Sequence, residues 1–257
     1  MSHYIDLNSD LGESFGNYTL GMDSEVLNHV TSANVACGWH AGDPLIMEAT
    51  VRMCKEKGVA VGAHPGYPDL MGFGRRAMAV NPGEAKAYMT YQLGALQAFC
   101  DSYGVTLQHM KLHGAFYNTA CVTPALADAV LDGLQAVNPN IAAMVLSGSY
   151  IAKEAQRRDI PVIQEVFADR GYTDEGTLVP RTEPGAFIKD PQEALDRVLM
   201  MVKEGKVVTN TGNTIDIVAD SICVHGDNPE AIAFTKYIRE GLAKAGVTVA
   251  NFQDRKK

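Results

Sequence analysis

Short apolar runs that alternate with helix signals restrict the fold of this chain more than any other feature. Each run ends in a polar loop that contains glycine, and a helix signal follows the loop. Most of the runs are too short for helices, and apolar runs of this length are typical of strands buried on both faces. The runs cover residues 4–7, 30–36, 59–63, 105–112, 141–146, 161–167 and 220–224.

Five helix starts are predicted where a capping side chain directly precedes a proline. The cap oxygen accepts an orphan backbone N–H, and proline suits the first helical position because that position needs no N–H of its own. In three of these segments, apolar residues then recur with helical spacing. The five pairs are Asp43-Pro44, Asn81-Pro82, Thr123-Pro124, Asp190-Pro191 and Asn228-Pro229.

Strands that alternate with helices predict parallel βαβ units. About seven such strands can form an open doubly wound sheet or a closed barrel, and the pattern alone leaves both open. In either fold the functional loops lie at the carboxyl ends of the strands. A length of 257 residues suits one barrel domain or at most two smaller domains. We predict one domain over residues 1–257.

Composition argues against several classes of partner. The net charge of −8 predicts repulsion from nucleic acid and from anionic lipid, and no apolar stretch is long enough for a membrane span. The N-terminus lacks signal-peptide features, so a cytoplasmic location is expected. Five scattered cysteines without a C-x-x-C pair predict reduced thiols and give no support for a structural metal. The basic residues 255–257 are expected to form a frayed tail.

Polar and charged side chains cluster at the ends of the predicted strands. Any one of them is most simply a structural hydrogen-bonding group, and Asp43 is best explained as a helix cap. Six of the seven strand ends carry such groups, however. Burying several ionisable groups is costly unless they are paired, so their convergence predicts a functional site. The candidates are Asp6, Asn8, Asp10, Glu13, Asn34, Trp39, His40, His64, Lys111, His113, Glu165, Asp169, Arg170, His225 and Asp227.

Several short motifs do not support a familiar metal or nucleotide site. His109 and His113 have H-x-x-x-H spacing, but in a strand their rings lie about 13 Å apart and cannot bind one metal ion. Gly72–Ala77 resembles a dinucleotide fingerprint, but no strand precedes it. Ser147–Ser149 is better explained as a loop and helix cap than as a nucleophile. The sequence has no P-loop motif, so any ATP must bind in another way.

Glycine-rich loops flank the polar residues and would let the backbone approach a ligand closely. Arg75, Arg76, Lys111 and Arg170 can complement a carboxylate or a phosphate. Arg75 and Arg76 are equally well explained as solvated loop residues. Lys111 shares a strand face with His113, so burial beside a carboxylate is expected for it.

A set of polar segments, spread in order along nearly the whole chain, matches a known family pattern. The segments are Asp6–Glu13, Ser32–Asp43, Gly62–Asp69, Lys111–Asn118, Glu165–Tyr172, Leu178–Arg181 and Val224–Asp227. Together they resemble the LamB/YcsF family. The family pattern often has Phe where Trp39 stands and Pro where Leu112 stands, and neither departure removes a polar group.

The resemblance implies a seven-stranded, slightly irregular α/β barrel, a TIM-like barrel similar to polysaccharide deacetylases and glycoside hydrolases. It also implies ATP-dependent hydrolysis of the cyclic amide 5-oxoproline to glutamate, carried out with two partner subunits. ATP with Mg²⁺ is therefore the expected cofactor. The sequence leaves open which subunit binds ATP, the identity of any metal, and whether the chain forms a homo-oligomer.

We hypothesise a division of roles among the candidates. Imidazoles with a pKa near 6.5 suit proton transfer, and carboxylates can orient those rings, activate water or hold Mg²⁺. Lys111 and Arg170 are expected to hold the substrate carboxylate or a phosphate. The predicted catalytic residues are Asp10, His64, Lys111, His113, Glu165 and His225. The predicted substrate- or phosphate-binding residues are Asn8, Glu13, Asn34, His40, Arg170 and Asp227.

Two other functions stay open at this point. One is a divalent-metal-dependent amidase or deacetylase acting on another small substrate, with Asp10, His64 and His113 among the possible ligands. Metal analysis separates this class from the leading hypothesis. The other is a non-catalytic substrate-binding subunit whose partners hold the active site.

Overall fold

Ten strands lie among residues 3–254, the part of the chain that the computed structural model describes. The predicted basic tail at 255–257 lies outside the described residues. In chain order the strands are β1 (His3–Leu11), β2 (Ser32–Ala36), β3 (Ala60–His64), β4 (Leu107–Met110), β5 (Ala142–Leu146), β6 (Val162–Phe167), β7 (Lys206–Val208), β8 (Thr214–Asp216), β9 (Ser221–Cys223) and β10 (Val247–Val249).

The barrel closes because β9 pairs with both β6 and β1. Strands β1 to β6 pair in chain order, and every pairing within the ring is parallel. Strand β10 adds a further parallel pairing to the start of β1, and β7 and β8 form a separate antiparallel hairpin. The predicted seven-stranded irregular barrel is confirmed, and the open sheet is excluded.

Eight helices lie among the described residues, and four of the five predicted caps accept backbone N–H groups. Asn81 forms a capping box with Glu84, and Asp43 accepts from two N–H groups. Thr123 makes no side-chain cap bond because it joins two helices without an intervening loop. The helices are α1 (Asp23–Val26), α2 (Pro44–Lys57), α3 (Pro82–Tyr103), α4 (Gly114–Val122), α5 (Pro124–Val137), α6 (Tyr150–Arg157), α7 (Pro191–Glu204) and α8 (Pro229–Lys244).

The apolar stripes of the helices pack against the barrel. In α5, Leu126, Val130 and Leu134 are buried, and each such side chain stabilises the fold by about 1.5–3 kcal/mol relative to exposure. All five cysteines are free and buried, as expected for reduced thiols. Among residues 3–254 no single helix could cross a membrane; α4 and α5 meet the length and composition test only as a pair bent by 115°.

The barrel interior is polar along one line that leads to the carboxyl ends of the strands. Asp6 on β1 accepts hydrogen bonds from Ser32 at 2.7 Å and from Ser221. Two residues further along β1, Asn8 donates to Ser221 at 2.8 Å and accepts from Asn34 at 2.8 Å. Inward-facing positions recur every second residue along a strand, so Asp10 continues this line at the mouth of the barrel. Asp10 therefore belongs to β1, which extends beyond the apolar run at residues 4–7.

Candidate active site

A cavity of about 620 Å³ lies at the carboxyl ends of the barrel strands. This volume is in the range of about 300–1,000 Å³ that is typical of small-molecule sites. Its position follows the rule that parallel α/β barrels place their sites at this end. Eight of the twelve predicted site residues line the cavity, namely Asp10, Glu13, His64, Lys111, His113, Arg170, His225 and Asp227.

The other four predicted residues are buried behind the cavity wall. Asn8 and Asn34 lie in the barrel interior and bond to each other. The His40 ring stacks on the His113 ring with centroids 3.7 Å apart, and Glu165 is fully buried. We interpret these four as supports that orient the lining residues, so the predicted binding roles of Asn8, Asn34 and His40 and the predicted catalytic role of Glu165 stay predictions.

Lys111 is a buried cation held between two carboxylates. Its Nζ lies 2.8 Å from Glu165 Oε1 and 3.1 Å from Asp10 Oδ1, and it also donates to Asn8 at 3.1 Å. Burial by itself lowers the pKa of Lys111, but the nearby carboxylates raise it well above its ordinary value. The expected burial of Lys111 beside a carboxylate is confirmed. Its ammonium is already paired inside the protein, which leaves it poorly placed to bind an external anion.

Tyr117 completes this buried network, although it was not among the predicted site residues. Its hydroxyl donates to Glu165 Oε2 at 2.8 Å, and its ring lines the cavity. Burial and the charge of Glu165 raise the pKa of Tyr117 well above its ordinary value, so it stays a hydroxyl donor. Tyr117 lies one turn into α4 and seven residues beyond the end of β4, so the pattern of polar strand ends does not include it.

The tautomers of His64 and His113 are fixed by backbone carbonyl groups. His64 Nδ1 donates to the carbonyl of Lys111 at 2.8 Å, and His113 Nε2 donates to the carbonyl of Phe73 at 2.8 Å. A carbonyl oxygen can only accept, so both of these nitrogens carry hydrogen. The remaining nitrogens, His64 Nε2 and His113 Nδ1, face each other at 3.0 Å. Two lone pairs repel at this distance, so the pair is stabilised when it takes up a proton or a metal ion.

Acidic groups surround the same point. Asp10 Oδ2 lies 3.3 Å from His64 Nε2, and Glu13 Oε1 lies 3.7 Å from His113 Nδ1 and 3.3 Å from His40 Nε2. Burial, assisted by His64, lowers the pKa of His113 to about 3, so this ring is neutral near pH 7. Burial and the charge of Asp10 raise the pKa of Glu13. The carboxyl group of Glu13 therefore binds a proton more readily than an exposed glutamate does.

This cluster could hold a metal ion. Imidazole nitrogen and carboxylate oxygen are the ligands that Zn²⁺ and related transition metals prefer. His40 Nδ1 is buried without a hydrogen-bond partner among the described residues. His109 lies outside the cluster and contacts Asn34 at 2.7 Å. The side chains whose ligand atoms lie within 4.8 Å of one another are Glu13, His40, His64 and His113.

His225 differs from the clustered histidines in its charge state. Its Nε2 lies 3.3 Å from Asp169 Oδ2, and both residues are at the carboxyl end of the barrel. Burial by itself lowers the pKa of His225, but the hydrogen bond and the charge of Asp169 raise it above its ordinary value. The cavity thus contains two histidines whose pKa values are shifted in opposite directions, up for His225 and down for His113.

The loop after β3 is built to hold this cluster. Arg76 forms an ion pair with Asp69, with Nε 3.0 Å from Oδ2, so its guanidinium has a structural role. Phe73 adopts a left-handed conformation with φ of 53°, and its carbonyl fixes His113. A Cβ at Gly74 would lie 2.8 Å from both the His113 and His40 side chains. This glycine therefore makes room for histidine rings rather than for a ligand.

The guanidinium group of Arg170 forms hydrogen bonds inside the protein. Its Nε donates to the carbonyl of Ala186 at 3.0 Å, and its Nη2 donates to the carbonyl of Val179 at 2.6 Å. The side chain is buried, yet part of it lines the cavity. Its predicted role in binding a carboxylate or phosphate therefore has weak geometric support. Two other arginines also line the cavity. The sequence left Arg75 open between anion binding and a solvated loop residue, and Arg181 was not among the predicted site residues.

Similarity to known proteins agrees with the fold and extends over the whole site. The model of the LamB/YcsF family matches residues 5–257. The chain belongs to the LamB/YcsF family. A protein of Fusobacterium nucleatum subsp. nucleatum, named as one of the subunits of 5-oxoprolinase, is 60% identical over 254 residues, which cover 99% of each chain. A protein of Pyrococcus abyssi with the same name is 53% identical over 250 residues, which cover 97% of this chain and 98% of the relative.

A solved structure of a relative has the same architecture. The crystal structure of a lactam utilization protein from Thermus thermophilus is similar to this chain with a TM-score of 0.92 and 44% identity. The match covers 97% of this chain and 100% of that chain. The resemblance seen in the polar segments is thus confirmed along the chain.

The Lys111 ion pair makes a prediction about stability. Replacing Lys111 with Met leaves Glu165 buried without its cation, so we expect Lys111→Met to lower the free energy of unfolding by about 3–5 kcal/mol. Adding Glu165→Gln should recover part of that loss, with a coupling of roughly 0.5–3 kcal/mol in a double-mutant cycle followed by urea denaturation. Lys153→Met, on the exposed side of α6, is the matched control and should change stability by less than about 0.5 kcal/mol. Additive effects of Lys111→Met and Glu165→Gln would contradict the pairing.

Proposed function

We propose that this chain is the lactam-opening subunit of an assembly that hydrolyses 5-oxoproline to glutamate at the expense of ATP. The observation that carries the proposal is that one cavity holds His113, whose pKa is lowered, and His225, whose pKa is raised, since amide hydrolysis needs both a base and an acid. The names of the relatives support the choice of substrate and the existence of further subunits. The name of the Thermus relative points to the same kind of bond.

The chemistry requires activation before water can attack. The five-membered lactam is an unstrained amide, and its carbonyl carbon is a poor electrophile. ATP would transfer its γ-phosphoryl group to the amide oxygen and leave as ADP, which makes the ring carbon open to attack by water. Cleavage of the C–N bond would then leave an acyl phosphate, and its hydrolysis would release glutamate and inorganic phosphate. The chain has no P-loop motif, so the proposal does not require that this chain binds ATP by itself. In this account the two partner subunits complete the nucleotide site.

The base in the proposed reaction is the cluster at the mouth of β1. His64 and His113 share a contact of 3.0 Å, and Asp10 lies 3.3 Å from His64. A water molecule beside this group can pass its proton to a histidine, while Asp10 stabilises the resulting positive charge. Burial alone would raise the pKa of Asp10, but the histidines and Lys111 lower it, so Asp10 stays ionised.

His225 is the proposed acid. Cleavage of the C–N bond leaves an electron pair on the ring nitrogen, which needs a proton to become the amino group of glutamate. Asp169 stabilises the charged form of His225 and so raises its pKa, which favours a proton on this ring. Asp227 also lines the cavity and is available to hold Mg²⁺ that arrives with a nucleotide. We place the assembly in the cytoplasm, which suits free and buried cysteines.

Turnover by reconstituted complexes tests this function. We expect glutamate and ADP to be released from 5-oxoproline and Mg²⁺-ATP only when the chain is combined with its two partner subunits. His64→Gln and His225→Gln should each lower kcat by roughly 10²–10⁴-fold without preventing assembly. Complete retention of kcat in both variants would assign the chain a binding role alone. The absence of glutamate in every combination would reject the proposed substrate.

The pH dependence of kcat gives the control for His225. Because Asp169 raises the pKa of His225, the rate should fall as the pH rises past that pKa, at a higher pH than an unperturbed histidine would give. His225→Gln should remove this alkaline limb, whereas Asp169→Asn should move the limb to lower pH. An unchanged alkaline limb in His225→Gln would exclude His225 as the acid.

A second candidate function is a divalent-metal-dependent amidase or deacetylase that acts on another small substrate. The observation that favours it is the set of four ligand atoms, together with the facing lone pairs of His64 and His113. Glu13, His40, His64 and His113 would hold the ion, whereas the sequence alone suggests Asp10 with His64 and His113. A bound ion would lower the pKa of a coordinated water and polarise a carbonyl oxygen.

Metal content separates the two functions. If the second function holds, the chain purified without chelator should contain one transition-metal ion per molecule by elemental analysis. His40→Gln should then lower both the metal content and the melting temperature gained on adding Zn²⁺, because His40 would be a ligand. His29→Gln is the matched control, since His29 follows α1 and lies beside Glu25, outside the cluster. Metal-free chain that is fully active with partners and ATP would reject this second function.

A further inference from the structure

The cationic side chains that line the cavity divide into two kinds. Lys111 is paired with Asp10 and Glu165, and Arg170 donates to two backbone carbonyl groups. Arg75 and Arg181 form no ion pair and no side-chain hydrogen bond with any residue between 3 and 254. Lys111 and Arg170, which we expected to hold an anion, are thus bonded within the protein. The guanidinium groups of Arg75 and Arg181 are not.

Arg75 and Arg181 repel each other electrostatically. Burial lowers the pKa of Arg181, and the neighbouring charge of Arg75 lowers it further. Two guanidinium groups close enough to influence each other repel when no anion lies between them. A bound oxyanion would remove that repulsion and would accept hydrogen bonds from both groups.

Each arginine is held in place by an aromatic ring rather than by a carboxylate. The Cζ atom of Arg75 lies 5.0 Å from the centroid of the Phe73 ring, and that of Arg181 lies 5.3 Å from the centroid of the Phe187 ring. A guanidinium that packs on a ring keeps its N–H groups available for a planar, two-oxygen ligand. The arrangement therefore orients both side chains and leaves their donors unused.

The backbone beneath each arginine is also fixed. Arg75 follows Phe73 and Gly74, in the loop that the Asp69–Arg76 ion pair holds closed. Arg170 donates to the carbonyl of Val179, two residues before Arg181. Arg170 is thus a positioning residue for the segment that carries Arg181. This role explains why a buried arginine lies beside the cavity without offering its charge to it.

We infer that Arg75 and Arg181 together clamp the anionic group of a reactant, a carboxylate or a phosphate oxyanion. The inference rests on the proposed function. Elsewhere in the cavity, Asp10 and Asp227 repel an anion, so the negative end of a substrate is directed to the two arginines. Its neutral amide is then directed toward the histidines. The clamp would make the site selective for a lactam with a carboxylate over the same ring without one.

The test uses the chain assembled with its partner subunits and four variants, Arg75→Gln, Arg181→Gln, the double variant, and Arg52→Gln. Arg52 lies on the exposed face of α2 and controls for the loss of one positive charge. KM is measured separately for 5-oxoproline and for ATP, and turnover of 2-pyrrolidone, the ring without the carboxylate, is measured alongside. In parallel, calorimetry measures the binding of inorganic phosphate and of 5-oxoproline to the chain alone.

If the clamp binds the carboxylate, each single variant should raise KM for 5-oxoproline by roughly 10- to 100-fold and leave KM for ATP unchanged. The preference for 5-oxoproline over 2-pyrrolidone should fall by the same factor, and Arg75→Lys or Arg181→Lys should retain part of it. If the clamp binds phosphate, KM for ATP and the affinity for inorganic phosphate should change instead. Either outcome supports the clamp and names its ligand.

Unchanged KM values for both reactants in the double variant, with normal turnover, would overturn the clamp and leave the proposed function standing. If the wild-type assembly makes no glutamate, the proposed function fails, and calorimetry still decides the clamp. In that case, equal phosphate and 5-oxoproline affinities in the wild-type chain and the double variant would overturn it. Weaker binding in the double variant, with Arg52→Gln unchanged, would support it.

Discussion

The buried ion pair of Lys111 with Asp10 and Glu165 is the constraint on which the site depends. Removing an ammonium group from water is costly, and only carboxylates at hydrogen-bond distance offset that cost. These carboxylates lie on β1 and β6, whereas Lys111 follows β4, so the pairing spans the barrel. Closure of the ring through β9 is what brings the three elements together. The same pairing keeps Asp10 ionised beside the histidines, which links the stability of the barrel to the chemistry at its mouth.

Charge is distributed unevenly around the cavity. Glu13, His40, His64 and His113 form a cluster of proton- or metal-binding atoms, whereas Arg75 and Arg181 line the cavity without an ion pair to any described residue. A ligand with an amide at one end and an anion at the other satisfies both regions, and 5-oxoproline is such a ligand. The arrangement also explains the role of Lys111, because a cation paired within the wall tunes the pKa of its neighbours instead of contacting the ligand.

Most of the fold could be predicted from the sequence because its signals are local. Apolar runs located all seven barrel strands, and Asx-Pro pairs located helix starts. The short strands outside the ring, β7, β8 and β10, carry no periodic signal. The cavity was also predictable, since parallel strands bring their carboxyl ends together. The sequence could not show which cationic side chains keep unused hydrogen-bond donors. Arg170 and Arg181 look alike in sequence, and only tertiary contacts show that carbonyl groups engage the first and not the second.

The position of bound 5-oxoproline is the most direct test of the account. A crystal structure of the chain soaked with 5-oxoproline should show the lactam in the cavity, with its carboxylate between Arg75 and Arg181. The amide carbonyl should face Asp10, His64 and His113, with the ring nitrogen within reach of His225. A ligand that binds outside this cavity, or in it with the carboxylate against the histidine cluster, would contradict both the assigned roles and the direction of the electrostatic field.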